Sequence, residues 1–155
     1  MKILVAIDGS AHSAAALEEV AARQWPPGTE IEVLTVVHAT TPLLLDPAFV
    51  MAAAYVDTTQ ALWRLAPELL EAAAARLRRD HPDLAITTRA IEGTPRALIV
   101  QEAADWGADL IVLGSHGHGP LRQALLGSVA AGVSADAACA VEIIRAGRQA
   151  VRVHA

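Results

Sequence analysis

Aromatic residues and cysteine are scarce in this sequence of 155 residues, which argues against a nucleic-acid partner and excludes an internal disulfide. Three Trp, one Tyr and one Phe are the only aromatic residues, so few side chains are available for stacking on nucleic-acid bases. The formal net charge of −5 also argues against a nucleic-acid partner, because phosphate backbones attract basic surfaces. The single cysteine, Cys139, cannot form an internal disulfide. We therefore expect a reducing, cytoplasmic compartment.

Long apolar runs are also missing. No uncharged apolar stretch reaches the roughly 18 residues of a membrane span. The apolar stretch after Lys2 is shorter than the hydrophobic region of a signal peptide. We therefore expect no membrane segment and no leader. Hydrophobic residues make up 54% of the chain, enough for one well-packed domain, which we predict over residues 1–147 with a tail at 148–155.

Apolar strand patterns alternate with helical patterns along the chain. Strands are predicted at residues 3–7, 30–37, 84–91, 110–113 and 141–144. Helices are predicted at residues 10–25, from Thr59 or Pro67 to Arg79, at residues 94–106 and from Ser128 to about Ala137. Ser10 and Thr94 are suited to N-caps, and Gly107 to a helix C-terminus. This alternation predicts an α/β fold with a parallel sheet.

Residues 40–59 carry the weakest pattern. Phe49, Met51 and Tyr55 are spaced for a short amphipathic helix within this segment. Its length is typical of a lid, a partner surface or a mobile flap. Pro67 either kinks a longer helix or occupies the first turn of a shorter one.

A glycine-rich loop follows the fourth predicted strand. Gly114, Gly117 and Gly119 come directly after residues 110–113, and Ser128 stands where the next helix begins. A loop between a strand and a helix N-terminus can cradle phosphate, since its amides and the helix dipole attract an anion. The alternative is a turn whose glycines only permit tight geometry.

Two common phosphate-binding motifs are excluded. The sequence contains no G-x-x-x-x-G-K-[ST]. The dinucleotide fingerprint G-x-G-x-x-G also fails, because Arg122 stands where the third glycine belongs.

The loop resembles the nucleotide-binding loop of the universal stress protein family. The ATP-binding branch of that family carries G-x-x-G, nine residues and G-[ST], and residues 114–117, nine residues and Gly127-Ser128 match this pattern without a gap. Gly93-Thr94-Pro95-Arg96 and residues 107–114 also resemble the family. The resemblance implies a Rossmann-like, adenine nucleotide alpha hydrolase-like fold, in which an open five-stranded parallel sheet of order 3-2-1-4-5 carries helices on both faces.

The resemblance also implies a nucleotide site. The ligand would be ATP, or ADP or AMP, with or without Mg²⁺. Asp8 would contact the nucleotide, although the same residue suits a turn or a cap, and the backbone at Val36 would meet adenine. The implied site residues are Asp8, Gly9, Val36, Gly114, Gly117, His118, Gly119, Gly127, Ser128 and Val129.

Several polar residues near the loop leave alternatives open. His116 and His118 suit solvent or phosphate contact better than metal ligation, because no Cys or third histidine stands beside them. We therefore predict no metal site. His12 either lies near the phosphates or on the surface of its helix. Arg122 either reaches a γ-phosphate or is a solvated charge.

Three functions remain in view. A binding protein is favoured over an efficient enzyme, because no loop lysine and no group that would position a catalytic water is evident, and the resemblance implies a regulatory ATP-binding stress protein. A slow ATPase on the same site and a nucleotide-free interaction protein are the alternatives, and no catalytic residue is assigned. The resemblance further implies a homodimer through the last strand. Ala140 and Glu142 depart from the family pattern there, and a charge on an edge strand opposes pairing.

Overall fold

The computed structural model describes residues 1–38, 49–116, 126–146 and 151–152, with side chains for all of these except 49–58 and 151–152. Within these ranges the strands are β1 (Lys2–Ala6), β2 (Glu30–Val37), β3 (Ala85–Glu92), β4 (Leu110–Gly114), β5 (Ala140–Ile144) and β6 (Val151–Arg152). They form one sheet in the order β3-β2-β1-β4-β5-β6. The first five strands are parallel, which confirms the predicted fold class and strand order.

Helices cover both faces of the sheet. In the described part of the chain they are α1 (Ala11–Ala22), α2 (Phe49–Asp80), α3 (Pro95–Trp106) and α4 (Ser128–Asp136). One core layer joins α1 and α2 to Ile3, Val5 and Ile31. The other layer joins α3 and α4 to Leu4 and Ile111. Because successive side chains of a strand point to opposite faces, an unbroken apolar run such as β1 can supply both layers.

The helix ends follow their local sequence signals. Ser10 caps α1, accepting a hydrogen bond from the Ser13 amide. Thr94 is the N-cap residue of α3, followed by Pro95, although its side chain makes no capping hydrogen bond. Gly107 ends α3 in the left-handed conformation with φ 73°, which glycine adopts without a Cβ penalty. The predicted caps at Ser10 and Gly107 are confirmed.

Helix α2 is longer than the sequence predicts. It begins at Phe49 and contains Pro67 within one continuous helix of 32 residues, so the start at Thr59 or Pro67 is wrong. Pro67 itself is exposed, while Leu70, Ala73 and Leu77 are buried against the sheet. Burial of this apolar stripe outweighs the hydrogen bond that a proline removes from a helix.

The end of the sheet also differs from expectation. β6 pairs antiparallel with β5, with Glu142 opposite Arg152, so β5 is not the outermost strand. Glu142 is buried, and its carboxylate accepts two hydrogen bonds of 2.8 Å from the Arg23 guanidinium at the end of α1. The expectation that Glu142 is a charge on an edge strand is therefore wrong. β3 forms the other edge, as the predicted strand order requires.

Among the residues that the structure describes, no helix combines the length and apolar character needed to cross a membrane.

Candidate functional site

The candidate site lies at the carboxyl edge of the sheet, between β1 and β4. The chain leaves β1 toward β2 on one side, and β4 lies on the other side of β1. The loops after β1 and β4 therefore diverge and leave a crevice, where open α/β sheets bind their ligands. Ala6 pairs with Leu34 and with Leu113. Two positions further along each strand lie Asp8 after Ala6, Val36 after Leu34 and Ser115 after Leu113.

The turn after β1 is held by its own polar side chains. The Ser10 amide donates to the Asp8 carboxylate at 2.9 Å, and the Asp8 amide donates to Ser13 Oγ at 3.3 Å. Gly9 has φ 79°, a conformation that glycine adopts at little cost. Asp8 is exposed at the carboxyl edge of the sheet. The turn role and the ligand role of Asp8 are thus compatible.

Gly114 brings the end of β4 against the start of α1. A Cβ atom at this position would lie 2.6 Å from the His12 carbonyl carbon, 2.7 Å from the Ser13 nitrogen and 2.8 Å from His12 Cβ. Real Cβ atoms essentially never come so close to other heavy atoms. The glycine is therefore needed for close packing, which brings the turn after β1 and the end of β4 together.

The start of α4 faces the same crevice. Gly127 is its N-cap residue, and within the described ranges no side chain caps the helix. The Gly127 amide donates to the Ser115 carbonyl at 2.8 Å, and a Cβ on Gly127 would lie 3.0 Å from that oxygen. Ser128 is exposed and Val129 is half-buried. The first amides of a helix have no intrahelical partner, so α4 offers donors and a positive dipole end to an anion.

Val36 lies near the end of β2 and packs with the core layer below α3 and α4. The next residue, Val37, accepts a hydrogen bond of 3.1 Å from the Gly93 amide. His38 Nδ1 lies 3.0 Å from the Gly93 carbonyl oxygen. Trp63 of α2 donates to the Glu92 carboxylate at 2.9 Å. The sequence did not predict these polar contacts, because they join residues that are distant in the chain.

Two histidines meet beside the crevice. The rings of His12 and His116 lie 5.3 Å apart, centre to centre, at an interplanar angle of 56°. His116 Nδ1 lies 3.2 Å from Ser115 Oγ, and Ser10 Oγ donates to the His116 carbonyl at 3.4 Å. His116 Nε2 is buried, without a hydrogen-bond partner among the residues that the structure describes. The described residues hold no cluster of three or more His, Cys, Asp or Glu suited to a metal.

A second group of charges lies away from the crevice. Glu32 on β2 is buried next to Glu102 of α3, whose carboxylate accepts a hydrogen bond of 2.6 Å from Arg89 on β3. Burial raises the pKa of Glu32, and the charge of Glu102 raises it further. Glu32 pairs in register with Leu4, in the middle of β1, and not with the residues that follow the carboxyl ends of the strands, so this pair is not part of the candidate site.

The structure brings together seven of the ten predicted site residues at one edge, namely Asp8, Gly9, Val36, Gly114, Gly127, Ser128 and Val129. Gly117, His118, Gly119 and Arg122 lie outside the described residues. Sequence reasoning missed Ser10 and Ser115 as parts of this edge. The small polar residues directly after β1 and β4 were the available signal.

This fold and this edge define an open, parallel α/β protein with a helix N-terminus at its topological switch point. Residues 1–145 match the model of the universal stress protein family. The chain is also 35% identical over 115 residues, covering 72% of its length and 73% of the relative's, to universal stress protein A homolog 2 of Coxiella burnetii. The chain belongs to the universal stress protein family.

Solved structures agree with the fold. The universal stress protein UspA of Lactobacillus plantarum superposes with a TM-score of 0.74 at 22% identity, covering 94% of this chain and 97% of that one. A universal stress family protein of Arabidopsis thaliana with AMP bound superposes with a TM-score of 0.63 at 17% identity, covering 94% and 91%.

Proposed function

We propose that this chain binds ATP, or ADP or AMP in its place, at the crevice between β1 and β4, and that it acts as a regulatory stress-response module. The observation that carries the proposal is the start of α4. Its N-cap glycine is held against the end of β4 by a backbone hydrogen bond, and no side chain among the described residues caps its amides. An anionic phosphate chain is a suitable ligand for such a helix end. The AMP complex of the Arabidopsis neighbour supports an adenine nucleotide.

Each part of the nucleotide has a suitable counterpart. The phosphates would lie at the amides of Ser128 and Val129, with the Ser128 hydroxyl as a further donor. The Asp8 carboxylate can accept a hydrogen bond from a ribose hydroxyl or ligate Mg²⁺, which prefers oxygen donors. The half-buried Val36 offers an apolar surface and backbone groups toward adenine. Gly117, His118 and Gly119 complete the proposed loop by their match to the family motif.

A matched pair of serine variants tests the site. Ser128→Leu places a branched apolar side chain at the first turn of α4, whereas Ser134→Leu makes the same change at an exposed position further along that helix. We expect Ser128→Leu to weaken ATP–Mg²⁺ binding in calorimetry at least about tenfold, which is about 1.4 kcal/mol, and Ser134→Leu to leave it unchanged. Equal affinity in both variants would contradict the assignment.

Binding without efficient turnover is the second part of the proposal. Among the described residues of the crevice, no side chain is placed as the base or the arginine that phosphoryl transfer uses. Phosphate release from ATP should therefore stay near the background rate over hours. Rapid release that Ser128→Leu abolishes would identify an ATPase instead. Absence of any adenine nucleotide in the purified protein, together with no thermal shift on adding ATP and Mg²⁺, would favour a nucleotide-free interaction protein.

Two further parts of the proposal concern the cellular location and the oligomeric state. We propose a cytoplasmic location, in keeping with the single, half-buried Cys139. We also propose a homodimer formed at the edge of the sheet that carries β5 and β6. Glu142 does not oppose such pairing, because it is directed at Arg23. Sedimentation equilibrium should give twice the chain mass of 16.2 kDa, and a single-chain mass at micromolar concentration would contradict the dimer.

A further inference from the structure

The side chain of Arg96 links the two helices on one face of the sheet. Arg96 lies in the first turn of α3. Its guanidinium donates two hydrogen bonds to the Asp136 carboxylate at the end of α4, from Nε at 2.6 Å and from Nη2 at 2.9 Å. Two parallel bonds of this kind fix the direction of an ion pair as well as its distance. Arg96 therefore holds the end of α4 against the start of α3 in a defined geometry.

Gly132 lets the stem of Arg96 lie directly against α4. A Cβ atom on Gly132 would lie 2.3 Å from Arg96 Cδ and 2.7 Å from Arg96 Nε. Glycine within a helix is less stable than alanine, and Gly132 is buried in the middle of α4. The arginine stem thus occupies the space that a side chain of α4 would otherwise fill, so the two helices are shaped for this contact.

The charge of Asp136 is also explained by the contact with Arg96. Asp136 is the last residue of α4, where the partial negative charge of the helix C-terminus disfavours a carboxylate. Hydrogen bonding from Arg96 lowers the pKa of Asp136. The arginine of the neighbouring helix therefore stabilises a charge that α4 itself opposes.

The two helices differ in how firmly they are attached to the rest of the fold. The buried residues of α4 are Ala130, Gly132 and Val133, whose side chains are small, so this helix buries little apolar surface. The turn before α3 is attached to β2, because the Gly93 amide donates to the Val37 carbonyl at 3.1 Å. A polar contact with α3 can therefore contribute much to the orientation of α4.

We propose that Arg96 is a positioning residue for the phosphate-binding end of α4. The Gly127 amide attaches the start of α4 to the Ser115 carbonyl at the end of β4, and Arg96 attaches the other end of α4 to α3. Two points of attachment determine the direction of a short helix, and thus the direction of its dipole and of its free amides. Binding of nucleotide phosphates at these amides rests on the proposed function, whereas the restraint of α4 by Arg96 does not.

Reversal of the ion pair tests this role. We expect Arg96→Glu, which places two carboxylates together, to lower the affinity for ATP–Mg²⁺ in calorimetry about two- to fivefold, the range that an exposed ion pair contributes. The affinity for adenosine should stay unchanged, because adenosine carries no phosphate. Adding Asp136→Arg restores opposite charges and should restore the ATP affinity. Arg78→Glu is the matched control, since it makes the same change in another exposed pair, with Glu71 at 3.2 Å, and should leave the ATP affinity unchanged.

Wild-type ATP affinity in Arg96→Glu would overturn the inference, as would an equal loss of ATP and adenosine affinity or no recovery in the double variant. A second measurement needs no nucleotide. In NMR spectra of the nucleotide-free chain, Arg96→Glu should shift the amide resonances of Ser128 and Val129, and the double variant should return them toward their wild-type positions. Unshifted resonances would refute the restraint. If the wild-type chain binds no ATP, the proposed function fails, and these resonances alone decide whether Arg96 orients α4.

Discussion

Gly114→Ala adds one methyl group at the point where β4 meets the start of α1. The new Cβ would lie 2.6–2.8 Å from three atoms of His12 and Ser13, of which two belong to the backbone. A flexible side-chain end could move aside, but the backbone of a capped helix cannot do so without shifting the helix. Gly114 does not have positive φ, so alanine adds no backbone strain there and the whole penalty is steric.

The expected magnitude follows from two opposing effects. Overpacking of this kind costs about 1–3 kcal/mol. Replacing glycine by alanine restricts the unfolded chain, which returns about 0.4–1 kcal/mol. A net loss of about 1–2 kcal/mol in the free energy of unfolding should lower the melting temperature by roughly 2–8 °C for a domain of this size. The shift of α1 should also displace the Ser10 cap and weaken ATP binding.

Urea unfolding and calorimetric ATP titration measure the two effects. Gly107→Ala is the control, because a Cβ there meets no atom within 4 Å while φ is 73°. This variant should lower the free energy of unfolding by about 1–2 kcal/mol through backbone conformation alone, and it should leave the ATP affinity unchanged. A Gly114→Ala variant with wild-type stability and wild-type ATP affinity would refute the packing argument.

Two further predictions concern buried charges. The raised pKa of Glu32 means that its contribution to stability is fully present below the unfolded value of 4.5 and is lost as the pH rises through the folded value. Glu32→Gln should therefore raise the free energy of unfolding at neutral pH and flatten the decline of that free energy above pH 4.5. Urea titrations at several pH values measure both effects. A variant that is less stable than the wild type at pH 7 would contradict the expected direction. Arg23→Ala removes the guanidinium that pairs with the buried Glu142 carboxylate, and it should lower the free energy of unfolding by roughly 2–4 kcal/mol. The double variant Arg23→Met with Glu142→Leu leaves no unpaired buried charge and should lower it much less. Thermal unfolding measures both variants, and a double variant as unstable as the single one would exclude charge burial as the cause.

The local signals of the sequence were sufficient for most of the fold. Continuous apolar runs predicted β1 and β4, because a strand covered on both faces has no polar side, and alternating apolar residues predicted β3. Ser10 and Gly107 predicted helix ends, since each meets a backbone requirement within a few residues. The spacing from Gly114 to Ser128 indicated the family and most of the candidate site for the same reason, as a loop motif is a local pattern.

The tertiary structure alone decided features that depend on distant residues. Arg23 and Glu142 are 119 positions apart, so no window of sequence shows that the charge on β5 is turned inward and paired. The burial of Leu70 and Leu77 stabilises α2 as one helix through Pro67, whereas the sequence alone left open whether Pro67 kinks a longer helix or begins a shorter one. The meeting of His12 with His116 depends on β1 and β4 being neighbours in the sheet. Side-chain patterns specify each element, whereas only the packing of the elements determines which side chains touch.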